Sequence, residues 1–225
     1  MSPKILFVFT SCDKTLTGHS TGWYLPEAAH PYYVLSKEFE IDFASPNGPN
    51  PPIDQGSVEL FKDDESVAFL GDDVVKEKLS SAKRLADVQE SDYDAIFYVG
   101  GHGPVLDLAV DPINIKLATE FYNKNKVVSA VCHGPAALVG VKGADGKSIF
   151  DGKEATGFSN VEEEQAGKVA DVPFLLETRI GELGGKYVRS DPWAPKVVSS
   201  GNLLTGQNPA SAGPLAKVIL EKLKA

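Results

Sequence analysis

Sulfur is scarce in this chain. Cys12 and Cys132 are its only cysteines and no C-x-x-C pair joins them, which excludes a disulfide framework and gives no structural zinc site. Histidine is nearly as rare: His19, His30, His102 and His133 are all there are, and none follows His133. Papain-like proteases, and glutamine amidotransferases with a downstream His-x-Glu, need a late histidine, so both arrangements are excluded. No Lys/Arg cluster offsets a net charge of −9, which argues against nucleic acid and anionic membrane as partners. No apolar run approaches membrane-spanning length, and no signal-peptide h-region precedes the strand pattern Ile5-Leu6-Phe7-Val8-Phe9. There is no internal repeat, no domain linker, no Gly-x-Gly-x-x-Gly fingerprint and no metal spacing among the histidines. The expectation is a protein of a reducing compartment, the cytoplasm with the nucleus as an alternative, without membrane or nucleic-acid partners, cofactor or metal.

What is present is the composition of a soluble globular protein, 42% hydrophobic and 24% charged. Its 225 residues fit one domain, 1–225, able to bury roughly 70% of its unfolded surface. Strand patterns at 4–10, 40–45, 93–99 and 127–131 alternate with helical spacing at 21–39, 63–83 and 112–123. Pro26 and Pro31 mark turns or kinks in the first of these. Beyond Val139 the pieces shorten: a strand at 154–158, a short helix capped by Ser159 or Asn160, and a helix at 173–183 stopped by Gly184-Gly185. Gly201-Asn202 signals a hairpin, and an amphipathic helix starting at Asn208-Pro209 ends the chain. The alternation predicts an α/β fold with a mostly parallel central sheet, helices on both faces and a small added hairpin. In such sheets the site lies beyond the C-terminal strand ends, where the loops carrying Cys12, Gly100-Gly101 and Cys132 converge.

The stretch Val127-Val128-Ser129-Ala130-Val131-Cys132-His133-Gly134-Pro135 is the most specific feature. A buried strand runs into Cys132, and Gly134-Pro135 opens a helix, so the thiol sits on a strand–helix elbow. Helix N–H groups, the helix dipole and the adjacent His133 would all favour a thiolate nucleophile there. A packed, inert cysteine is the bland alternative. Gly100-Gly101-His102-Gly103 ends the preceding strand at the same edge, where glycines admit close backbone approach and a free N–H can face an oxyanion. Glu27 lies in an apolar helical context, where a buried carboxyl would stay protonated and shuttle protons. By composition alone Glu27 reads as a solvated helix residue, as does Glu163 between Glu162 and Glu164. Cys12 reads as a packed strand-end residue, His19 as a loop residue at the pocket mouth, and Trp193 as a pocket wall or an anchored loop aromatic.

Together, Ala130-Val131-Cys132-His133-Gly134-Pro135, Gly100-Gly101-His102-Gly103 and Glu27-Ala28-Ala29-His30-Pro31 resemble the ThiJ/PfpI superfamily. Three further blocks resemble its heat-shock-protein-31-like branch: Thr156-Gly157-Phe158-Ser159-Asn160-Val161-Glu162-Glu163, Pro173-Phe174-Leu175-Leu176-Glu177 and Thr205-Gly206-Gln207-Asn208-Pro209-Ala210-Ser211. The segment 46–86 departs from the branch's pattern. The resemblance implies a flavodoxin-like three-layer sandwich of the class I glutamine amidotransferase-like type, a homodimer, and a cofactor-independent glutathione-independent glyoxalase (glyoxalase III, D-lactate dehydratase) acting on methylglyoxal and other 2-oxoaldehydes. It further implies Cys132 as nucleophile, His133 as neighbouring acid/base, Glu27 and Glu163 as catalytic carboxyls, and the N–H groups of Gly101 and His133 as oxyanion donors. Rival expectations are a stress-response holdase, a redox sensor with an oxidisable Cys132, and a protein deglycase.

Overall fold

The computed structural model describes residues 3–225. Its first half alternates strand and helix: β1 (Lys4–Val8), α1 (Leu25–Leu35), β2 (Glu40–Ser45), then short helices α2 (Gln55–Leu60), α3 (Asp64–Gly71) and α4 (Asp73–Ser80). There follow β3 (Lys83–Arg84), β4 (Ala95–Tyr98), α5 (Gly103–Leu106), α6 (Pro112–Asn123) and β5 (Val127–Val131). The remainder comprises β6 (Glu154–Ala155), α7 (Asn160–Gln165), α8 (Leu176–Glu182), β7 (Lys186–Tyr187), β8 (Val197–Ser200), β9 (Leu203–Gly206) and α9 (Ala212–Lys224).

Seven strands form one sheet in the order β3-β2-β1-β4-β5-β9-β8, parallel throughout except for β8, which runs antiparallel to β9. Without the two-residue edge strand β3, the parallel strands lie second, first, third, fourth, fifth in chain order, the flavodoxin-like arrangement. The direction of winding reverses between β1 and β4. The crevice outside their C-terminal ends is therefore the natural place for a site, and β5 lies next to it.

Side-chain alternation divides the apolar residues between two layers. Ile5, Phe7 and Phe9 pack with Leu25, Ala28 and Tyr32 of α1 and Leu215 and Ile219 of α9. Leu6, Val8, Ile96, Tyr98, Val128 and Ala130 pack on the other face with Leu117 and Phe121 of α6 and Ile180 of α8. Both faces are covered, which is why β1, β4 and β5 are nearly continuous apolar runs rather than alternating ones.

Three expectations shift in detail. The hairpin at Gly201-Asn202 is part of the main sheet, because β9 pairs with β5 in parallel; the small added piece is the β6–β7 pair. Pro31 does not end α1, which runs through it to Leu35 on the strength of its buried face. The helix expected from residue 173 starts at Leu176. No helix among the described residues is long and apolar enough to cross a membrane.

Asp42 on β2 ties one edge of the sheet together. Its carboxylate pairs with Lys4 at 3.1 Å and Lys83 at 2.7 Å, and accepts from the Tyr93 hydroxyl at 2.8 Å. Burial works against its charge, but the bonds from Lys83, Tyr93 and Lys4 win and hold its pKa at about 2. A depressed carboxylate adds stability above its unfolded pKa of about 3.9, and that contribution is lost as pH falls toward 2. Asp42→Asn is expected to lower the unfolding free energy by ~1–2 kcal/mol at neutral pH. In urea titrations the gap from wild type should close between about pH 4 and pH 2.

Candidate active site

β5 delivers its next residue, Cys132, into a left-handed backbone conformation with φ +59, which a residue bearing a Cβ adopts only at a cost. Two bonds hold it there: the Cys132 N–H donates to the Gly206 carbonyl at 2.9 Å, and the Phe158 N–H donates to the Cys132 carbonyl at 2.8 Å. The turn lifts the thiol off the sheet edge into the crevice. The expected helix after it is a 3-10 segment, Gly134–Leu138, five residues long. So short a segment offers little of the dipole that the elbow pattern suggested.

His133 is 1% exposed and turns its two nitrogens to different partners. Nδ1 lies 3.7 Å from Cys132 Sγ, and Nε2 lies 2.5 Å from Glu163 Oε2. The other oxygen of Glu163, Oε1, is 2.7 Å from His102 Nε2, and the two imidazole rings sit 4.2 Å apart. One carboxylate thus orients two histidines. Phe158 covers the His133 ring at 4.5 Å between centroids. Glu163 reaches this position because Ser159 caps α7: its hydroxyl accepts from the Glu162 N–H, and the Glu162 side chain reaches back to the Ser159 N–H. Glu163 is then one residue further round the first turn and points at the two histidines. The composition reading of Glu163 as solvated is wrong, since it is 2% exposed. Packing over Phe158 and the histidines overrides its charge.

Glu27, in the first turn of α1, is fully buried, and the composition reading of it as a solvated residue also fails. Neither of its oxygens has a conventional hydrogen-bond partner among the described residues. A side chain at position 100 would strike Glu27 Oε2 at 2.2 Å, so Gly100 is what admits the carboxyl to the thiol.

The charges of the cluster separate cleanly. Burial pushes the Glu27 carboxyl well up, opposed by the Cys132 thiol and the N–H groups of Gly100 and Gly101, so it holds its proton. Burial, reinforced by Glu27, pushes the Cys132 thiol well up. Burial thus works against the thiolate expected from the sequence, while the proton held by Glu27 is placed to stabilise charge that develops on the sulfur. Burial lowers His133 and keeps it neutral, against the pull of Glu163. Burial would raise Glu163, but His133 and His102 outweigh it and hold the carboxyl far below the usual range.

A cavity of about 840 Å³ opens above the thiol, lined by Glu27, Gly101, His102, Cys132 and His133 among others. Glu163 stands behind the two histidines. The Gly101 N–H favours the charged form of Glu27, though no hydrogen bond of ordinary geometry joins them. Cys12 is absent from the lining; its Sγ–H donates to the Lys14 carbonyl at 3.1 Å. His19 sits on Asp171 at 3.1 Å. Trp193 is on the rim, 47% exposed.

His102 is the residue that sequence reasoning passed over. Gly100-Gly101-His102-Gly103 drew notice for its glycines, yet a histidine at the end of a strand beside the switch point is itself a signal. Missed too were Tyr24, Leu60 and Phe61, which line the cavity. His102, His133 and Glu163 also place ligand atoms within 4.8 Å of one another, a donor set suited to a divalent transition metal. Chain spacing hides it because the three come from distant parts of the chain: the turn after β4, the turn after β5 and the first turn of α7.

Comparison with known proteins gives a consistent set of similarities. The family model described as DJ-1/PfpI family matches residues 22–222. Glyoxalase 3 of Candida albicans is 34% identical, over 96% of this chain and 97% of its own length. The X-ray structure of the Francisella tularensis Rapid Encystment Protein 24 KDa is 39% identical with a TM-score of 0.93, covering 98% of this chain and 99% of that one. The crystal structure of glyoxalase III from Candida albicans is 30% identical with a TM-score of 0.87, covering 97% and 96%.

The neighbour of Glu163 has a structural task. Glu162 Oε1 accepts from Trp193 N at 2.8 Å, Gln207 Nε2 at 3.1 Å and Asn208 Nδ2 at 2.9 Å, while Oε2 accepts from Ser159 N and Oγ. Glu162→Ala leaves these donors buried and unpaired, and is expected to lower the unfolding free energy by ~3 kcal/mol. It should also alter Trp193 fluorescence, whereas Glu163→Gln should leave that fluorescence in place.

Proposed function

The chain belongs to the DJ-1/PfpI family, and from that membership we propose how its site performs the glutathione-independent glyoxalase reaction, methylglyoxal and water to D-lactate. One observation carries this reading: a thiol, a neutral imidazole and a protonated carboxyl meet at the floor of one cavity, Cys132 Sγ 3.7 Å from His133 Nδ1 and Glu27 buried beside the sulfur. Glu163 on the far nitrogen of His133 sets the tautomer, with Nε2–H toward the carboxylate and the Nδ1 lone pair toward the thiol.

Cys132 adds to the aldehyde carbon as His133 takes the thiol proton, and Glu27 gives its proton to the aldehyde oxygen. The product is a hemithioacetal, with Glu27 now a carboxylate and His133 an imidazolium held by Glu163. Glu27 next removes the proton from the carbon bearing sulfur while His133 protonates the former ketone oxygen, giving an enediol. Glu27 returns its proton to the carbon next along, His133 takes the hydroxyl proton, and a lactoyl thioester results. Water then attacks the thioester, Glu27 receives its proton, and His133 protonates the departing sulfur. Atoms and protons balance, and the site returns to its resting state. The redox change is internal to the substrate, the hydrogen leaving one carbon as a proton and returning to the next while the electron pair stays in the enediol, so no outside oxidant or reductant takes part.

The backbone N–H of His133, with that of Gly101, is the proposed oxyanion donor. We further propose a homodimer, and the cytoplasm as its compartment, in keeping with two free cysteines. Light scattering on the purified protein reads the first.

Methylglyoxal turnover without glutathione, in metal-free buffer, tests the assignment. Cys132→Ala and Glu27→Gln are each expected to lose at least about 10²-fold in kcat with the fold intact; full activity in Cys132→Ala would overturn it. Because burial lowers His133, the acid limb of kcat/KM should lie below the ordinary histidine value of about 6.5. Glu163 raises His133, so residual activity in Glu163→Gln should show that limb moved lower still.

A further inference from the structure

The cavity is far larger than methylglyoxal, the substrate of the proposed reaction. About 840 Å³ is within the range that buries a drug-sized ligand, whereas methylglyoxal carries only a methyl group beyond its two carbonyls. The excess space is bounded by rings. Tyr24 meets Phe61 edge-on at 5.6 Å, and Phe158 meets Trp193 edge-on at 5.6 Å; all four line the cavity, with Leu60 at its mouth.

Trp193 is built into this place. Its backbone is left-handed, φ +65, a strained state for a bulky residue. Its N–H is held by Glu162 Oε1 at 2.8 Å and its indole N–H by Gln165 Oε1 at 2.6 Å. A ring pinned by two bonds yet 47% exposed presents an apolar face to the cavity at little further entropic cost. The basic side chains of the lining are all engaged by carboxylates: His30 by Asp63, His102 and His133 by Glu163, Lys168 by Asp171. A substrate tail bearing a carboxylate or phosphate would find no waiting counter-charge.

We propose that the site takes 2-oxoaldehydes whose ketone carries a bulky, uncharged apolar group, an aryl ring above all, seated against Trp193, Phe158, Tyr24 and Phe61 while the aldehyde meets Cys132. This rests on the glyoxalase reading and narrows its substrate class. The chemistry is the same internal redox, with an aryl group in place of the methyl, so an arylglyoxal and water give the aryl 2-hydroxy acid.

The test compares kcat/KM for phenylglyoxal and methylglyoxal in the wild type, Trp193→Ala and Phe61→Ala. Phenylglyoxal should be favoured by about tenfold in the wild type, with the ratio collapsing toward unity in both variants. Turnover of both aldehydes without preference for the aryl compound, or a preference unchanged in both variants, would overturn the proposal. Calorimetric titration of Cys132→Ala with acetophenone, which has the ring but no aldehyde, separates the two readings. If the wild type turns over neither aldehyde, the glyoxalase reading fails. Saturable acetophenone binding, weakened at least about fivefold by adding Trp193→Ala, would still support the apolar subsite, and no binding would sink it.

Discussion

The left-handed turn at Cys132 is the constraint on which the site depends. An L residue with φ near +60 gives up roughly 1–2 kcal/mol relative to an ordinary conformation, and the fold must hold it there. It does so with main chain from two other places: the end of β9, through the Gly206 carbonyl, and the segment before α7, through the Phe158 N–H. The same segment places Phe158 over His133 and starts the helix bearing Glu163. Strand order, turn strain and the histidine–carboxylate pair are therefore one arrangement. Relaxing the turn would withdraw the sulfur from the crevice and free the backbone that positions its partners.

Within that frame two carboxyls separated by a cysteine and a histidine are driven in opposite directions. Glu27 faces a thiol and two backbone N–H groups but no cationic partner, and burial keeps its proton on; Glu163, equally buried, is flanked by two imidazoles and loses it. The difference is made by neighbours rather than by depth, which is how one cavity holds an acid and a charged orienter at one pH. His133 between them is neutral at rest because burial outweighs Glu163, leaving it able to accept a proton from a thiol that is itself reluctant to ionise. Coupling the proton transfer to carbon–sulfur bond formation means that no buried thiolate need exist beforehand.

Adjacent residues at the start of α7 divide structure from chemistry. Glu162 satisfies the donors of the loops that carry Trp193, Gln207 and Asn208, and Glu163 faces the histidines. The rim is thereby fastened to the same helix turn as the catalytic cluster. The cavity's apolar wall and its polar floor share one support.

Much of this was legible in the residues. Helix 112–123 and strands 40–45 and 127–131 follow from apolar periodicity and flanking Pro, Gly and Asp, and a short helix capped at Ser159 or Asn160 is legible too, Ser159 being the cap the structure uses. Such features rest on contacts between near neighbours in the chain, which spacing alone encodes. Cys132 at the elbow belongs with them. The state of the thiol, the burial of Glu27 and Glu163, the role of His102 and the rim formed by Leu60 and Phe61 were not legible. They depend on which loops the strand order brings to one edge, and on how much water that meeting excludes. The sequence by itself determined the elements and the strand–turn elbow that carries Cys132, because these are set by local sterics and periodicity. Only the tertiary structure decided the electrostatics and the cavity, because charge in a buried site is set by groups far apart in the chain, as Glu27 and Cys132 are.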